Sequence, residues 1–317
     1  VQFETGTGLA FQVLPSRGLD IASAKFQGAS LALEMPTGEA HPAFFDPRGI
    51  EWLRTFHVGL VTTCGLTWAG APCQDAGQDL GLHGRYSHLP ARNLKISDEW
   101  VEDDRVLSVS GDLREAYLFG PNLAATRTIS TVVGSNTMVI EDTIRNEGFQ
   151  DTPHQLLYHI NIGFPVVSET AQFLAKSTAT PRDAIAEPGL TQCRAFEAPS
   201  AGYKEQVFYH DIKADDEGFA HVAIVNPDFN EGQGLGIYLR YRQKELPRFA
   251  QWKNMLAGAY VCGLEPANCS VQGRAHDRAE GRLQFLAPGE ERKTYLELTV
   301  LPDNDTIQGV MEILGGM

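Results

Sequence analysis

A histidine and a carboxamide share one face of a candidate strand in the middle of the chain. The segment His154–Asn161 reads HQLLYHIN, and successive side chains of a strand alternate between its two faces. This alternation places His159 and Asn161 on one face and the apolar Leu156 and Ile160 on the other. Because imidazole titrates near neutral pH, His159 is a candidate acid or base in a polar cleft, and Asn161 is a candidate to bind the substrate. An ordinary solvent-facing strand explains the same pattern.

A carboxylate follows an apolar run nearer the C-terminus. Ala259–Glu265 has the composition of a strand, and Pro266 is expected to stop it. A buried carboxylate is costly unless it is paired. Glu265 is therefore either part of a site, where it could take up a proton, or one partner of a salt bridge at the rim of a sheet.

A cluster of cationic and aromatic residues precedes both segments. Leu82–Arg92 reads LHGRYSHLPAR and holds two histidines, two arginines and a tyrosine around Gly84. Upstream, Phe56–Leu66 contributes His57 and a run of small residues typical of a strand. This cluster stands out in an acidic chain, although a solvated loop is the usual structure of such a charged run.

The nine histidines do not follow a metal-binding spacing. His83 and His88 are five residues apart, as are His154 and His159, and the chain has no HxH or HExxH motif. GxSxG, P-loop and Rossmann glycine patterns are absent as well. We therefore expect no metal site and no cofactor.

The elements that must position these residues are mostly strands. Thr126–Val133 and Thr137–Asn146 are joined by a three-residue loop with a glycine, which predicts a hairpin. The other predicted strands are Leu9–Leu14, Val106–Gly111, His154–Ile160, Ala220–Asn226, Leu235–Arg242, Ala259–Glu265, Gly281–Leu286 and Lys293–Leu301. Many strands without alternating helices indicate an all-β fold, a large antiparallel β-sandwich.

One helix is predicted, at the C-terminus. Asp305 is expected to cap it, an apolar face follows with the spacing of a helix, and two glycines are expected to end it. The apolar residues are Ile307, Val310, Met311 and Leu314, and the glycines are Gly315 and Gly316. No linker composition interrupts the chain, so residues 1–317 are expected to form a single sandwich domain.

The composition excludes several classes of function. The chain has 317 residues and a net charge of −14 at pH 7, so neither a nucleic acid nor an anionic membrane is an expected partner. No apolar run approaches the roughly 20 residues of a membrane span. Five cysteines without a CxxC pair are typical of a reduced chain, and no signal-peptide pattern is present, which together predict a cytoplasmic location.

Taken in order, these segments resemble the aldose 1-epimerase (galactose mutarotase-like) superfamily. The phrases that carry the resemblance are LHG around His83, YHIN around His159, GLEP around Glu265 and LAPGE before the last strand. A bacterial branch shares further phrases, which here are Arg17–Ile21 (RGLDI), Thr62–Leu66 (TTCGL), Leu82–Arg85 (LHGR) and Gly263–Pro266 (GLEP). The resemblance spans nearly the whole chain and implies a large antiparallel sandwich with a sugar cleft on a concave face.

The resemblance also implies roles for individual residues. Glu265 would act as general base, His159 as general acid, and His83 would bind the sugar. For a sugar-binding arginine and a sugar-binding aspartate of the superfamily, the candidates in this sequence are Arg54, with His57 nearby, and Asp211.

Mutarotation opens and recloses a cyclic hemiacetal. A base removes the proton of the anomeric hydroxyl while an acid protonates the ring oxygen, and the ring then closes on the other face of the carbonyl carbon. A carboxyl in a dry cleft and a histidine suit these roles. The alternatives are an epimerase or isomerase acting at another carbon of a sugar, and a carbohydrate-binding sandwich without catalysis.

One departure from the superfamily concerns the substrate. Arg85 replaces the glycine that usually follows the His-Gly pair. Because arginine pairs bidentately with a carboxylate, the sugar is expected to carry a negative charge, and Arg17 and Lys253 are candidates to reach the same rim. The alternative is that Arg85 pairs with an acidic residue of the protein and only shapes the loop.

Overall fold

The structure of the protein is a computed structural model that describes residues 1–315. Its strands, in chain order, are β1 (Gln2–Glu4), β2 (Leu9–Leu14), β3 (Asp20–Phe26), β4 (Ala29–Ser30), β5 (Val61–Leu66), β6 (Cys73–Asp75), β7 (Gln78–Leu80), β8 (Arg92–Val101), β9 (Asp104–Ala116), β10 (Asn122–Val132), β11 (Thr137–Asn146), β12 (Thr152–Gly163), β13 (Gln172–Ala175), β14 (Ser177–Pro181), β15 (Gln206–Ile212), β16 (Phe219–Asn226), β17 (Leu235–Arg242), β18 (Arg248–Leu256), β19 (Ala259–Ala267), β20 (Gln284–Leu286) and β21 (Glu291–Leu301). The α-helices are α1 (Phe229–Gly232), α2 (Arg274–Ala279) and α3 (Asn304–Ile313). Short 3₁₀ helices cover Pro42–Phe44, Glu51–Thr55, Tyr86–His88 and Glu187–Gln192.

Two large sheets face each other. The first has eleven strands, with a main path β1-β2-β3-β5-β12-β19-β18-β15-β14, to which β4 adds beside β3 and β20 beside β12. The second has eight strands in the order β13-β16-β17-β21-β11-β10-β9-β8, and β6 and β7 form a separate pair. Neighbouring strands run antiparallel, so the predicted antiparallel sandwich with a short C-terminal helix is confirmed.

The main hydrophobic core lies between the two sheets. Side chains of the first sheet, such as Tyr158, Ile160 and Leu264, pack with side chains of the second, such as Ile140 and Leu298. Strand β12 is nevertheless buried on both of its faces. A second cluster covers the opposite face of the first sheet and contains Trp52, Phe56, Val58, Cys64, Ala69, Leu157, Ala267 and Cys269. We call this outer face of the first sheet the cleft face.

A buried arginine joins the two sheets across the core. Arg127 on β10 donates to both carboxylate oxygens of Asp142, at 2.8 and 2.6 Å. Its Nη1 also donates to Asp20 of the first sheet at 3.0 Å and to Thr63 at 2.8 Å. All three charged side chains are fully buried, so their mutual pairing is what compensates for the loss of water.

The predicted strands β2, β11 and β17 have the bounds that the sequence pattern indicates, and most others extend by a few residues. Contrary to the expectation from the sequence, Pro266 does not end strand β19. The strand continues to Ala267 because that residue still pairs with Leu157 of β12 and Arg248 of β18. Of the predicted strand Gly281–Leu286, only β20 is extended, since α2 and a turn precede it.

The C-terminal helix begins two residues earlier than predicted. Asp303, and not Asp305, is its N-cap, and its side chain accepts a hydrogen bond from the backbone nitrogen of Thr306 at 2.9 Å. Gly316 lies outside the described residues. Within residues 1–315 no helix has the length and apolar character that a membrane span requires. The single-domain organisation stays a prediction.

Candidate active site

The strand register brings His159 and Glu265 opposite each other. Strands β12 and β19 pair with Leu157 opposite Ala267 and Ile160 opposite Leu264, so His159 falls opposite Glu265. Both side chains lie on the cleft face, where Nε2 of His159 is 3.3 Å from Oε1 of Glu265. Because both strands are central in the sheet, neighbouring strands on each side hold the pair in place.

Burial keeps Glu265 protonated at neutral pH. The residue is almost completely buried, and desolvation raises the pKa of its carboxyl to about 8. The charge of Glu205 raises this pKa further, and the guanidinium of Arg182 lowers it. Arg182 and Glu205 pair with each other at 3.5 Å, and Trp252 donates to Glu205 from Nε1, so both charges are fixed within range of Glu265.

Burial acts on His159 in the opposite direction. It lowers the pKa of the imidazole to about 4, because a buried site disfavours the charged form. Three other rings contact it in T-shaped arrangements, at centroid distances of 5.4 Å for Phe56, 5.7 Å for His83 and 5.2 Å for Trp252. Its Nδ1 is buried and has no hydrogen-bond partner in residues 1–315.

The pair therefore holds one proton over a wide range of pH. Between about pH 4 and about pH 8, Glu265 keeps its proton and His159 has no added proton. The expected roles, with Glu265 as base and His159 as acid, require a deprotonated Glu265 and a protonated His159. The pKa values instead place the proton on Glu265. The two groups lie 3.3 Å apart, close enough that the charge of one affects the titration of the other.

His83 lies against the same imidazole. It precedes Gly84 in a turn where both residues have positive φ, 58° and 76°. A Cβ at Gly84 would lie 2.2 Å from the carbonyl oxygen of Trp68, so this position requires glycine. The ring of His83 is 4.9 Å from that of Trp52, its Nδ1 is buried without a partner in the described chain, and burial lowers its pKa to about 3. His83 is thus a neutral hydrogen-bonding group.

A cavity of about 540 Å³ opens beside Glu265. This volume is within the range of small-molecule sites. Strands β12, β14, β15, β18 and β19 and the loop after β19 line it, and its polar lining includes Thr178, Tyr209, Asp211, Arg248, Glu265 and Arg282. His159 and His83 are not part of this lining. His159 contacts Glu265, His83 contacts His159, and the two imidazoles also contact the rings of Phe56 and Trp52.

Three further predicted residues lie in or near the site. Asp211 lines the cavity on β15. Asn161 donates from Nδ2 to the backbone oxygens of Val58 and His159, and its Oδ1 is buried without a partner in residues 1–315. His57 is buried with both ring nitrogens unpartnered in the same range, and burial lowers its pKa to about 3. That these residues bind substrate stays a prediction.

Arg17 and Arg54 make contacts within the protein instead. The guanidinium of Arg17 is buried and donates to three backbone oxygens, those of Ala40, Thr55 and Ser87. Arg54 is exposed and pairs with Glu51 on the same 3₁₀ turn. Neither side chain lines the cavity.

Arg85 and Lys253 also lie outside the cavity lining. The guanidinium carbon of Arg85 is 5.6 Å from the ring centres of both Phe45 and Trp68. Lys253 points away from the cleft face, where it is fully buried and pairs with Glu197 at 2.8 Å. The structure therefore does not bring either cation to the cavity beside the acid–base pair.

The sequence-based interpretation names Asp211 on β15 but predicts neither β15 nor β18 as a strand, and it misses two residues of the cavity wall that these strands form. The two residues are Tyr209 on β15 and Arg248 on β18. Neither strand has the alternation of apolar and polar residues that would predict it from the sequence. Strand β18 is buried along most of both faces, with the polar Gln251 and Lys253 on the face away from the cleft. The aromatic Trp252 is the one signal in this run that indicates a surface for a sugar.

The titratable groups at the centre of the site are one carboxyl and two imidazoles. No three His, Cys, Asp or Glu side chains within residues 1–315 are grouped so that they could hold a metal ion. Glu265 and His159 contact each other directly. The chemistry that this arrangement supports is proton transfer.

Known proteins share this fold along nearly the whole chain. The model of the family "Domain of unknown function (DUF4432)" matches residues 1–300, and no protein of curated function matches the sequence. A solved "putative aldose 1-epimerase" from Klebsiella pneumoniae is 25% identical, with 97% of this chain and 80% of that chain covered and a TM-score of 0.91.

Two more distant solved structures share the fold alone. A "galactose mutarotase-like protein" from Clostridium acetobutylicum is 13% identical, with 95% of this chain and 94% of that chain covered and a TM-score of 0.64. A "putative mutarotase" from Salmonella typhimurium is 9% identical, with 93% and 88% covered and a TM-score of 0.59. Together with the 25% identical structure, they confirm the predicted resemblance to aldose 1-epimerase-like and galactose mutarotase-like proteins at the level of the fold.

Proposed function

The chain belongs to the DUF4432 family, and we propose that it catalyses the mutarotation of a sugar with Glu265 and His159 as its acid–base pair. The observation that carries this proposal is the 3.3 Å contact between the two side chains, one of which lines the cavity. The solved relative named "putative aldose 1-epimerase" supports the same class of reaction.

A single shared proton is sufficient for the reaction. One member of the pair takes the proton of the anomeric hydroxyl while the other donates a proton to the ring oxygen, and the bond between the anomeric carbon and the ring oxygen breaks. After the new carbonyl group turns, the two transfers run in reverse and the ring closes on the other face. Glu265 is the base when the shared proton starts on His159, and the roles exchange when it starts on Glu265.

The opposed pKa shifts suit this cycle. An acid or base is most effective when its pKa lies near the working pH, and Glu265, with a pKa of about 8, keeps the proton available at neutrality. His159, with a pKa of about 4, remains a free proton acceptor there. Neither group carries a charge before substrate binds, so the buried pair costs little desolvation.

The surroundings of the pair suit a sugar ring. Of the three groups only Glu265 lines the cavity, so the sugar would approach the pair from the side of Glu265. His83 would then hydrogen-bond a ring hydroxyl through its unpartnered Nδ1. Asp211 would accept hydrogen bonds from hydroxyls further along the cavity.

The direct test is anomeric exchange, measured by saturation-transfer NMR over a panel of aldoses. We expect the wild type to accelerate exchange of at least one sugar over the rate without enzyme. Glu265→Gln keeps the shape of the side chain but removes its proton transfer, so kcat should fall by at least about 100-fold with little change in sugar affinity. His159→Asn should also lower kcat severely.

Matched controls come from the outer surface of the second sheet. Glu141→Gln makes the same chemical change at an exposed position of β11, and His221→Asn does so on β16, where the ring pairs with Asp215. Both controls should keep wild-type exchange. Full exchange in Glu265→Gln and His159→Asn would refute the mechanism. Sugar binding without exchange in the wild type would indicate a carbohydrate-binding sandwich, and a change at another carbon would indicate a different epimerase.

A further inference from the structure

We propose that the substrate carries an anionic group and that Arg248 binds this group in the cavity beside Glu265; this substrate class rests on the proposed function. Arg248 is the first residue of β18, lies on the cleft face opposite Ala267, and lines the cavity. Its guanidinium has no hydrogen-bond or ion-pair partner within residues 1–315. An arginine on a cavity wall without a protein partner is open to a ligand.

The separation of Arg248 from Glu265 suits the two ends of a sugar. Glu265 lies opposite Ala250 of β18, and Arg248 comes two residues before Ala250 on the same face. Two residues of a strand span roughly 7 Å. A ring with its anomeric carbon at Glu265 therefore directs a far substituent toward the guanidinium.

The charges that face the cavity favour an anion. The lining holds two guanidiniums, Arg248 and Arg282, and one exposed carboxylate, Asp211, while Glu265 is neutral because burial raises its pKa to about 8. Arg282 already lies 3.6 and 3.4 Å from two carboxylates, those of Asp277 and Glu280. Arg248 is thus the cation available to a ligand, in a chain whose net charge is −14.

A second donor, Tyr209, lines the same cavity. Tyr209 on β15 is opposite Ala250, and its hydroxyl is buried without a partner in the described residues. Tyr209 and Arg248 together could bind an oxyanion from two sides. The planar guanidinium binds carboxylate and phosphate alike, so the test must separate a sugar acid from a sugar phosphate.

The experiment compares kcat/KM for anomeric exchange of glucose, glucuronate and glucose 6-phosphate, with galactose and galacturonate as a second pair. A hydrogen bond to a charged group changes such a ratio by roughly 10- to 100-fold. We expect the wild type to prefer one anionic sugar to its neutral counterpart by this factor. Arg248→Gln should lower kcat/KM for that sugar by the same factor and bring the ratio close to one.

Two further variants make the result specific to this position. Arg105→Gln removes an exposed arginine of β9 that pairs with Asp98, and it should leave the preference intact. Arg85→Gln tests the other candidate cation. If Arg85→Gln abolishes the preference while Arg248→Gln keeps it, the assignment to Arg248 is overturned. It is also overturned if the wild type prefers neutral sugars, or if Arg248→Gln weakens both sugars equally.

Calorimetry with Glu265→Gln separates this inference from the proposed function. This variant should bind the anionic sugar at least about tenfold more tightly than the neutral one, and Arg248→Gln added to it should remove the difference. If no sugar undergoes exchange but binding still depends on Arg248, mutarotation is refuted and the anionic ligand stands. If exchange occurs without this dependence, mutarotation stands and the anionic substrate is refuted.

Discussion

Nε2 of His159 lies 3.3 Å from Oε1 of Glu265, and the two side chains come from neighbouring strands, β12 and β19. The same burial acts on both groups but shifts their pKa values in opposite directions, because it disfavours the charged form of each. The neutral carboxyl holds a proton and the neutral imidazole can accept one. Burial of this pair therefore sets its proton count to one, without a net charge.

We expect the exchange rate to follow a bell-shaped pH profile. Below about pH 4 His159 is protonated and the pair lacks a base, and above about pH 8 Glu265 has lost its proton and the pair lacks an acid. kcat/KM, corrected for exchange without enzyme, should be nearly constant between these limits and fall on both sides. A rate that keeps rising above pH 9 would contradict the shared proton.

Glu265→Gln should also remove part of the pH dependence of stability. The pKa of a glutamate in an unfolded chain is about 4.3, whereas that of folded Glu265 is about 8. Its contribution is therefore complete below about pH 4.3 and is lost as pH rises toward about 8. Between pH 6 and pH 8 the wild type should lose on the order of 2 kcal/mol more free energy of unfolding than the variant.

Urea titrations at both pH values measure this difference, with Glu141→Gln as the control for the same chemical change. The control should follow the wild type, since Glu141 is exposed. Equal losses in the wild type and Glu265→Gln would show that the carboxyl is ionised in the folded protein at neutral pH.

The position of His159 and Glu265 on one face of the sheet could be predicted from the sequence because their strands have a continuous apolar face. Tyr158 and Ile160 on β12 and Leu264 on β19 face the core between the sheets, so strand alternation identifies His159 and Glu265 on the other face. The resemblance to the mutarotase-like superfamily then indicates that the segments around His159 and Glu265, which are far apart in the chain, belong to one site.

The rest of the site could not be predicted in this way. Strand β18 has polar residues on the inner face, including Lys253, whose charge is compensated by Glu197 from outside the strand. Because Glu197 is far from Lys253 in the sequence, the local sequence pattern of β18 does not predict this ion pair. The ring that contacts His83 belongs to Trp52, which comes from a short 3₁₀ turn and packs in the cluster on the cleft face. Packing of this kind does not produce a periodic pattern of apolar residues in the sequence, so it could not be predicted.

Arg127→Met should destabilise the protein by about 3–5 kcal/mol, because it leaves Asp20 and Asp142 buried without their cation. Urea unfolding at pH 7 measures the change. Arg145→Met is the matched control, since its pair with Glu291 is exposed and 3.7 Å long and should contribute less than about 1 kcal/mol. A similar small loss in both variants would mean that the buried network does not hold the two sheets together.

Gly84→Ala should reduce exchange by displacing His83. The new Cβ would lie 2.2 Å from the carbonyl oxygen of Trp68, in a backbone conformation with φ of 76°. Gly134→Ala is the matched control, because φ is 88° there but nothing lies within 4 Å of the new Cβ. The control should lose only the roughly 1–2 kcal/mol of a left-handed residue and keep its exchange rate. Gly84→Ala should lose more stability than this control. In its folded fraction, the imidazole NMR signals of His83 should shift and kcat/KM should fall. Equal behaviour of the two variants would show that the contact between Gly84 and Trp68 does not position the histidine.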